Sequence, residues 1–165
     1  MSNKYLRNKL IAFAIILISI ILDQATKVIA VRGLNDTGIK SVELIKGVLS
    51  LNYTTNPGAL AGMFSDSRWV FMSISTIAIF AILVYLFFFK EENVITVVSL
   101  ALILGGGIGN MIDRIVQGYV VDFIYFSLID FPVFNFADIC VSCGSFLLLF
   151  YLIFSFKKGD LQGTT

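Results

Sequence analysis

The chain has 165 residues, of which 58% are hydrophobic and only 14% are charged, and its formal net charge is +1. Soluble domains carry about a quarter charged residues, so this composition indicates an integral membrane protein with one compact helical domain. A net charge this small implies no large basic surface for a nucleic acid partner. The lack of histidine excludes Ser-His-Asp and Cys-His catalysis and argues against a transition-metal site.

A first transmembrane helix is predicted over residues 10–31, where a long apolar run follows a short basic tail. About 20 apolar residues are enough to cross a bilayer core of roughly 30 Å. Asp23 and Lys27 lie four positions apart near the end of this run and therefore share one face of the helix. Two interpretations stay open: an ion pair that shares the cost of insertion, or polar groups that face the interior of a helix bundle.

Three further apolar runs predict spans at 69–89, 94–116 and 136–156. Four spans place both termini on one side, and basic residues flank the first and the last span on that side. These residues are Lys4, Arg7, Lys9, Lys157 and Lys158. The sequence therefore predicts cytoplasmic termini, with the loops 32–68 and 117–135 on the outer side.

The polar segment 32–68 carries a strand signal. From Val48 to Thr54, apolar and polar residues alternate with the two-residue period of a strand, and the turn sequence Asn56-Pro57-Gly58 follows. We therefore predict a mainly α membrane fold for residues 1–165. It is a four-transmembrane-helix bundle with a small extracytoplasmic β-structure between helices 1 and 2, at the membrane interface.

Two short motifs lie in the apolar runs. Gly105 and Gly109 have the GxxxG spacing, which favours close helix packing; a phosphate loop is disfavoured because no GK[ST] follows. Cys140 and Cys143 form a CxxC motif without a surrounding βαβ pattern, which favours small residues in a buried helix over a redox centre.

The predicted topology gathers the membrane-embedded polar groups at one depth, on the outer side. Asn110 shares a helix face with Asp113 and could share one with Arg114, and either substrate positioning or a network that locks the bundle would explain them. The cytoplasmic halves of the predicted spans contain no charged residue. This weighs against a proton-conducting or ion-coupled transporter, which would need a polar path across both leaflets.

Asp122 and Asp138 are set among apolar residues, where a lone carboxylate is costly. Without histidine, two carboxylates that share a proton can hydrolyse a peptide bond. The ionised one takes a proton from water, and the protonated one donates a hydrogen bond to the scissile carbonyl. From spacing alone, a catalytic pair, a proton path and structural pairing all stay open. A purely structural subunit would leave the cost of these acids unexplained.

The motifs GNMIDR, VVDF and FNFAD, preceded by Asp23 with Lys27 and by NPGA, resemble those of the lipoprotein signal peptidases (signal peptidase II). The similarity covers about residues 10–156, with the motifs in matching order. It implies a four-helix membrane aspartic endopeptidase of the bacterial cytoplasmic membrane, with its active site at the outer face. Such an enzyme removes the signal peptide of a prolipoprotein just before a diacylglyceryl-modified cysteine.

Carried over residue by residue, the resemblance makes Asp122 and Asp138 the catalytic pair. The positions that match those lining or supporting the substrate site are Asp23, Lys27, Asn56, Gly58, Asn110, Arg114 and Asn135. Asp113 matches a position with a structural role. The chain departs from the family at NPGALAGMF, where many members have a compact N-[TS]-G-A-A-F.

The resemblance also implies the partners. They are the diacylglyceryl-modified prolipoprotein and membrane lipid, with no metal or organic cofactor and no nucleic acid. We further expect a monomer that binds globomycin-type peptide inhibitors.

Overall fold

The computed structural model describes residues 3–57, 68–90 and 93–162. Within these residues the chain is mainly helical and has one small sheet. In chain order the elements are α1 (Asn3–Ala30), β1 (Val42–Ile45), β2 (Leu49–Asn56), α2 (Arg68–Phe88), α3 (Val94–Val116), β3 (Val120–Phe126) and α4 (Phe136–Gln162). A π-helical turn over Val31–Asn35 extends α1, and a 3₁₀ turn over Ser127–Ile129 follows β3.

The described helices confirm the membrane class. Three helical segments are long and apolar enough to cross a bilayer: Lys4–Asn35, Val94–Val116 and Phe136–Ser155. The remaining apolar helix segment, Met72–Phe88, is shorter, so the number of four spans stays a prediction. Large apolar side chains such as Phe146, which is 71% exposed, cover the outside of the helices, as a lipid-facing surface requires.

Helix α3 is the central helix, because it contacts α1, α2 and α4. Its glycines explain how closely the helices approach. A Cβ atom on Gly105 would lie 2.7 Å from the Ser19 Cβ, and one on Gly109 would lie 2.5 Å from the Asp23 Oδ2, both on α1. Gly106 contacts the beginning of α4 on another face. The predicted packing role of the GxxxG spacing is therefore confirmed.

The three strands form an antiparallel sheet in the order β1-β2-β3. Strand β2 confirms the β-structure that the alternating segment predicted. The prediction that this structure lies between the first two helices is wrong in one respect, because β3 comes from the segment 117–135, for which the sequence predicts a loop. The run Val120–Phe126 is apolar on both faces except at Asp122, so it shows no two-residue alternation.

The sheet sits on one end of the helix bundle, which we call the site end. It consists of the C-terminal ends of α1 and α3, the N-terminal end of α4, and the sheet. Val121 and Phe123 of β3 pack against Ala30 of α1 in a small buried cluster. The register pairs Thr54 of β2 with Asp122 of β3, so the end of β2 lies beside this carboxylate.

The cysteines differ from the prediction in one respect. Both lie on α4 as free thiols, and Cys140 is buried as expected. Cys143 is exposed, so the prediction of a buried position is wrong for this residue. It lines a cavity described below.

Candidate active site

Asn135 connects Asp122 of β3 to Asp138 in the first turn of α4. Its side-chain Nδ2 donates a hydrogen bond to Asp122 Oδ1 at 2.6 Å, and its backbone N–H donates to Asp138 Oδ2 at 3.1 Å. The Asp138 N–H donates back to Asn135 Oδ1 at 3.0 Å, which makes this pair a capping box at the start of α4. The two acids that the sequence singled out therefore meet through one residue.

Two more amides complete the hydrogen bonding of these carboxylates. Asn56 Nδ2, at the end of β2, donates to Asp122 Oδ2 at 3.1 Å. Asn110 Nδ2, on α3, donates to Asp138 Oδ1 at 2.8 Å. Asp122 is only 2% exposed. Both acids thus lie in an amide network that draws on two strands and two helices.

Lys27 supports this network from α1. Its Nζ contacts Asp23 Oδ2, Asp113 Oδ2 and Asn110 Oδ1, each at 2.9 Å. An ammonium group has three protons, so each proton has an acceptor. Both interpretations of the Asp23–Lys27 spacing are realised, because the residues form an ion pair that also faces the bundle interior. Lys27 holds the Asn110 oxygen, and the Asn110 nitrogen is thereby directed at Asp138.

Asp23 and Asp113 each accept a hydrogen bond from the backbone N–H of a residue that immediately precedes a candidate catalytic aspartate. Asp23 Oδ1 accepts the N–H of Ala137 at 3.0 Å, one position before Asp138. Asp113 Oδ2 accepts the N–H of Val121 at 3.1 Å, one position before Asp122. These two buried carboxylates therefore fix the backbone that carries the pair.

Gln24 belongs to the same network and was not among the predicted site residues. Its Nε2 donates to Asp23 Oδ2 at 3.2 Å, to Asp113 Oδ1 at 3.0 Å and to the Gly109 carbonyl at 3.2 Å. It joins α1 to α3 beside the Lys27 ion pairs. The available signal was an amide next to Asp23 inside an otherwise apolar helix.

Two predicted site residues remain, Arg114 and Gly58. Arg114 is half-buried, donates to the Asn110 carbonyl at 3.3 Å, and interacts electrostatically with both Asp138 and Asp122. Gly58 lies outside the described residues. Asp130, which is not a predicted site residue, adopts a left-handed φ of 49° in an exposed turn and accepts a hydrogen bond from the Tyr125 hydroxyl at 2.6 Å. It is a turn residue outside the amide network.

The environment of Asp122 raises the pKa of its carboxyl group. Burial raises the pKa of Asp122 from its ordinary value of 3.8 to about 6, and the nearby charge of Asp138 acts in the same direction. Hydrogen bonds from Asn56 and Asn135 oppose this rise. Asp138 lies in the first turn of α4, where its Oδ2 accepts the backbone N–H of Asn135. The surroundings of Asp122 therefore favour its protonated form.

A mostly apolar cavity of about 410 Å³ adjoins Asp138. The exposed Phe131 stands at its edge. The lining residues are Phe131, Pro132, Val133, Phe134, Asp138, Ile139, Ser142 and Cys143. The cavity thus joins one carboxylate of the pair to an apolar surface.

The fold and the site together define an integral membrane protein with two coupled carboxylates held at one end of a helix bundle. The family model described as signal peptidase (SPase) II matches residues 15–154. The lipoprotein signal peptidase of Clostridium tetani is 43% identical over 142 residues, which are 84% of this chain and 90% of that protein. The one from Symbiobacterium thermophilum is 39% identical over 91% of this chain and 99% of that protein.

Solved structures agree with these relatives. Two structures of a bacterial membrane enzyme, at 2.3 Å and 1.9 Å resolution, match with a TM-score of 0.74 and 32% identity. They cover 86% of this chain, and 87% and 91% of the respective solved chains. The chain therefore belongs to the signal peptidase II family, and it is a membrane peptidase.

Proposed function

We propose that this protein is an aspartic endopeptidase that cleaves the signal peptide of prolipoproteins before the diacylglyceryl-modified cysteine. The observation that carries this proposal is the link between Asp122 and Asp138 through Asn135, with hydrogen bonds of 2.6 Å and 3.1 Å. Relatives named lipoprotein signal peptidase support the substrate class. Membership of the family shows that the protein is a peptidase. The identity of the two catalytic acids and the position of the cleaved bond are part of our proposal.

The two acids act on one water molecule. Asp138, as the ionised member, takes a proton from water while the water oxygen attacks the scissile carbonyl carbon. Asp122, as the protonated member, donates a hydrogen bond to the carbonyl oxygen and stabilises the charge that develops there. The proton then passes to the leaving amine nitrogen as the C–N bond breaks. These roles describe the singly protonated state of the pair.

Neighbouring groups position the substrate. Arg114 interacts electrostatically with both acids and can hold a peptide carbonyl or a lipid ester near them. Asn56 donates to Asp122 and lies at the end of β2, where it can also contact the substrate backbone. The 410 Å³ cavity beside Asp138 is apolar enough to accept an acyl chain of the modified cysteine.

We also propose how the protein is oriented in the membrane. The termini are cytoplasmic and the site end faces the outer side of the cytoplasmic membrane, where the lipidated cysteine of a substrate would lie. Substrate and enzyme then meet by diffusion within the bilayer. We further propose that the enzyme acts as a monomer and that globomycin-type peptides occupy the same site.

Cleavage of matched precursors tests this function. Purified protein is incubated with one precursor in two forms, diacylglyceryl-modified and unmodified, and the products are examined by gel shift and mass spectrometry. We expect cleavage of the modified form only, with the lipidated cysteine at the new N-terminus. Cleavage at another bond, or equal cleavage of both forms, would contradict the proposed specificity.

A further inference from the structure

A second cavity, of about 380 Å³, lies between the C-terminal ends of α1 and α3 and strand β3. The buried Lys27 and Asp113 form part of its lining, and Val28 and Val116 form apolar walls. Arg32 and Asp36 also line it. Neither acid of the candidate pair is among its lining residues. The cavity is therefore separate from the active site, although it touches the ion pairs that support that site.

The predicted spans place this cavity at the height of the lipid headgroups. Arg32 directly follows the first predicted span, and Gln117, which also lines the cavity, directly follows α3. The apolar walls are open to the outside of the bundle, since Val28 is 47% exposed and Val116 is 79% exposed. A molecule with a polar head beside Arg32 and chains along these valines would lie as a bilayer lipid does.

The cavity is lined by buried charges that are paired within the protein and by exposed charges that have no ion pair among the described residues. Lys27 lies 2.9 Å from both Asp113 and Asp23, so its charge is already paired within the protein. The guanidinium of Arg32 has no ion pair within the described parts of the chain, and neither does the carboxylate of Asp36, which accepts only a 3.4 Å bond from Asn35. Within the described part of the chain, the exposed side chains of Arg32 and Asp36 therefore present one cation and one anion to a ligand.

We propose that this cavity binds the headgroup of an amino phospholipid of the phosphatidylethanolamine type. Arg32 can donate two N–H groups to the phosphate, a geometry that guanidinium groups favour. Asp36 accepts hydrogen bonds from the primary ammonium group. Phosphatidylglycerol offers Arg32 the same phosphate but offers Asp36 only neutral hydroxyl groups, and a choline headgroup has no N–H to donate.

A bound lipid would also stabilise the site end. It packs against Lys27 and Asp113, and Asp113 holds the backbone N–H of Val121 directly ahead of Asp122. A ligand that binds only the folded protein raises its stability in proportion to the logarithm of ligand concentration. Lipid occupancy would therefore appear as thermal protection.

The test uses full-length protein in detergent, native mass spectrometry and thermal unfolding. Phosphatidylethanolamine, phosphatidylcholine and phosphatidylglycerol with identical acyl chains are added separately. We expect phosphatidylethanolamine to remain bound most strongly and to raise Tm most. Arg32→Gln and Asp36→Asn should each weaken its binding about tenfold, since each removes charged hydrogen bonds.

Two variants serve as controls. Lys46→Gln removes an exposed cation from the β1–β2 turn, outside this cavity, and should leave binding unchanged. Arg32→Lys keeps the charge and should retain part of the affinity. Equal binding of the three lipids, or full binding by Arg32→Gln, would indicate nonspecific annular lipid and overturn the proposal. Because binding and Tm are the readouts, the test does not depend on the proposed peptidase activity.

Discussion

The carboxylate of Asp23 accepts the backbone N–H of Ala137 at 3.0 Å, although 114 positions separate the two residues. Asp113 makes the equivalent bond to Val121 at 3.1 Å. The first bond fixes the start of α4 against α1, and the second fixes β3 against α3. The buried carboxylates of Asp23 and Asp113 therefore fix the backbone next to the two candidate catalytic aspartates.

Replacement of Lys27 by methionine should destabilise the protein strongly. The change leaves Asp23 and Asp113 buried, at 0% and 4% exposure, without their cation. Loss of one partner of a buried ion pair costs about 3–5 kcal/mol. Reversible unfolding in detergent measures the free energy of unfolding, with Lys46→Met as the exposed control. Adding Asp23→Asn and Asp113→Asn to the same chain should recover most of the loss; equal stability of wild type and Lys27→Met would contradict the account.

Replacement of Asn135 by serine should separate the capping role from the catalytic role. Serine still caps α4, but Asn135 is fully buried and its Nδ2 also donates to Asn110 Oδ1 and the Val121 carbonyl, so the free energy of unfolding should fall by about 1–3 kcal/mol. It cannot supply the amide nitrogen that donates to Asp122 at 2.6 Å. Loss of a hydrogen bond to a charged group costs about 1.5–3 kcal/mol, so cleavage should slow by about 10- to 100-fold. A serine variant that cleaves at the wild-type rate would show that the hydrogen bond from Asn135 to Asp122 does not contribute to cleavage.

Replacement of Gly109 by alanine should damage the fold at the site end. The new Cβ would lie 2.5 Å from Asp23 Oδ2 on α1, so the helices must separate. Overpacking of this kind costs about 1–3 kcal/mol, and cleavage should fall as Asp23 moves. Gly107→Ala is the matched control, because its Cβ would meet only the side chain of Ile79, at 3.3 Å. Similar losses of Tm in both variants would contradict this interpretation.

The pH dependence of cleavage should follow the proton on Asp122. Its pKa is raised to about 6, and the mechanism needs this proton, so kcat/KM should fall as the pH rises through that region. The hydrogen bond from Asn56 favours the ionised form, so Asn56→Ala should raise the pKa further and move the descending limb to higher pH. Thr55→Ala, exposed on the same strand, should leave the limb in place. A limb that moves to lower pH in Asn56→Ala would refute the assignment of the proton.

The same raised pKa predicts a trend in stability. A carboxyl that binds its proton more tightly in the folded state stabilises the fold below its unfolded pKa of 3.8, and this stability is lost as the pH rises through about 6. Asp122→Asn carries no such charge. The Tm of this variant relative to wild type should therefore increase between pH 4 and pH 7. A constant difference in Tm over that range would show that ionisation of Asp122 does not destabilise the folded protein.

The sequence could predict the helices and the acids, for definite reasons. Helix α3 covers Val94–Val116, the range predicted for the third span, because the bilayer demands an uninterrupted apolar helix. Asp122 and Asp138 stood out because an isolated carboxylate among apolar residues is costly. Both arguments use properties of single segments, which the sequence displays directly.

The missed features depend on contacts between segments. Strand β3 is apolar on both faces, so only its pairing with β2 distinguishes it from a loop. Gln24 looked like one polar residue in a helix, and its role depends on where Asp113 lies on α3. The position of Asn135 between the acids required the first turn of α4 to meet β3.

The most direct measurement of the central claim is cleavage of a diacylglyceryl-modified precursor by Asp122→Asn and Asp138→Asn in a gel-shift assay. Asp130→Asn is the matched control, because Asp130 lies in an exposed turn. Each variant is first shown to be folded by its thermal unfolding in detergent. We expect both site variants to fold and to produce no cleaved product, while Asp130→Asn cleaves as the wild type does. Wild-type cleavage by either folded site variant would contradict the account.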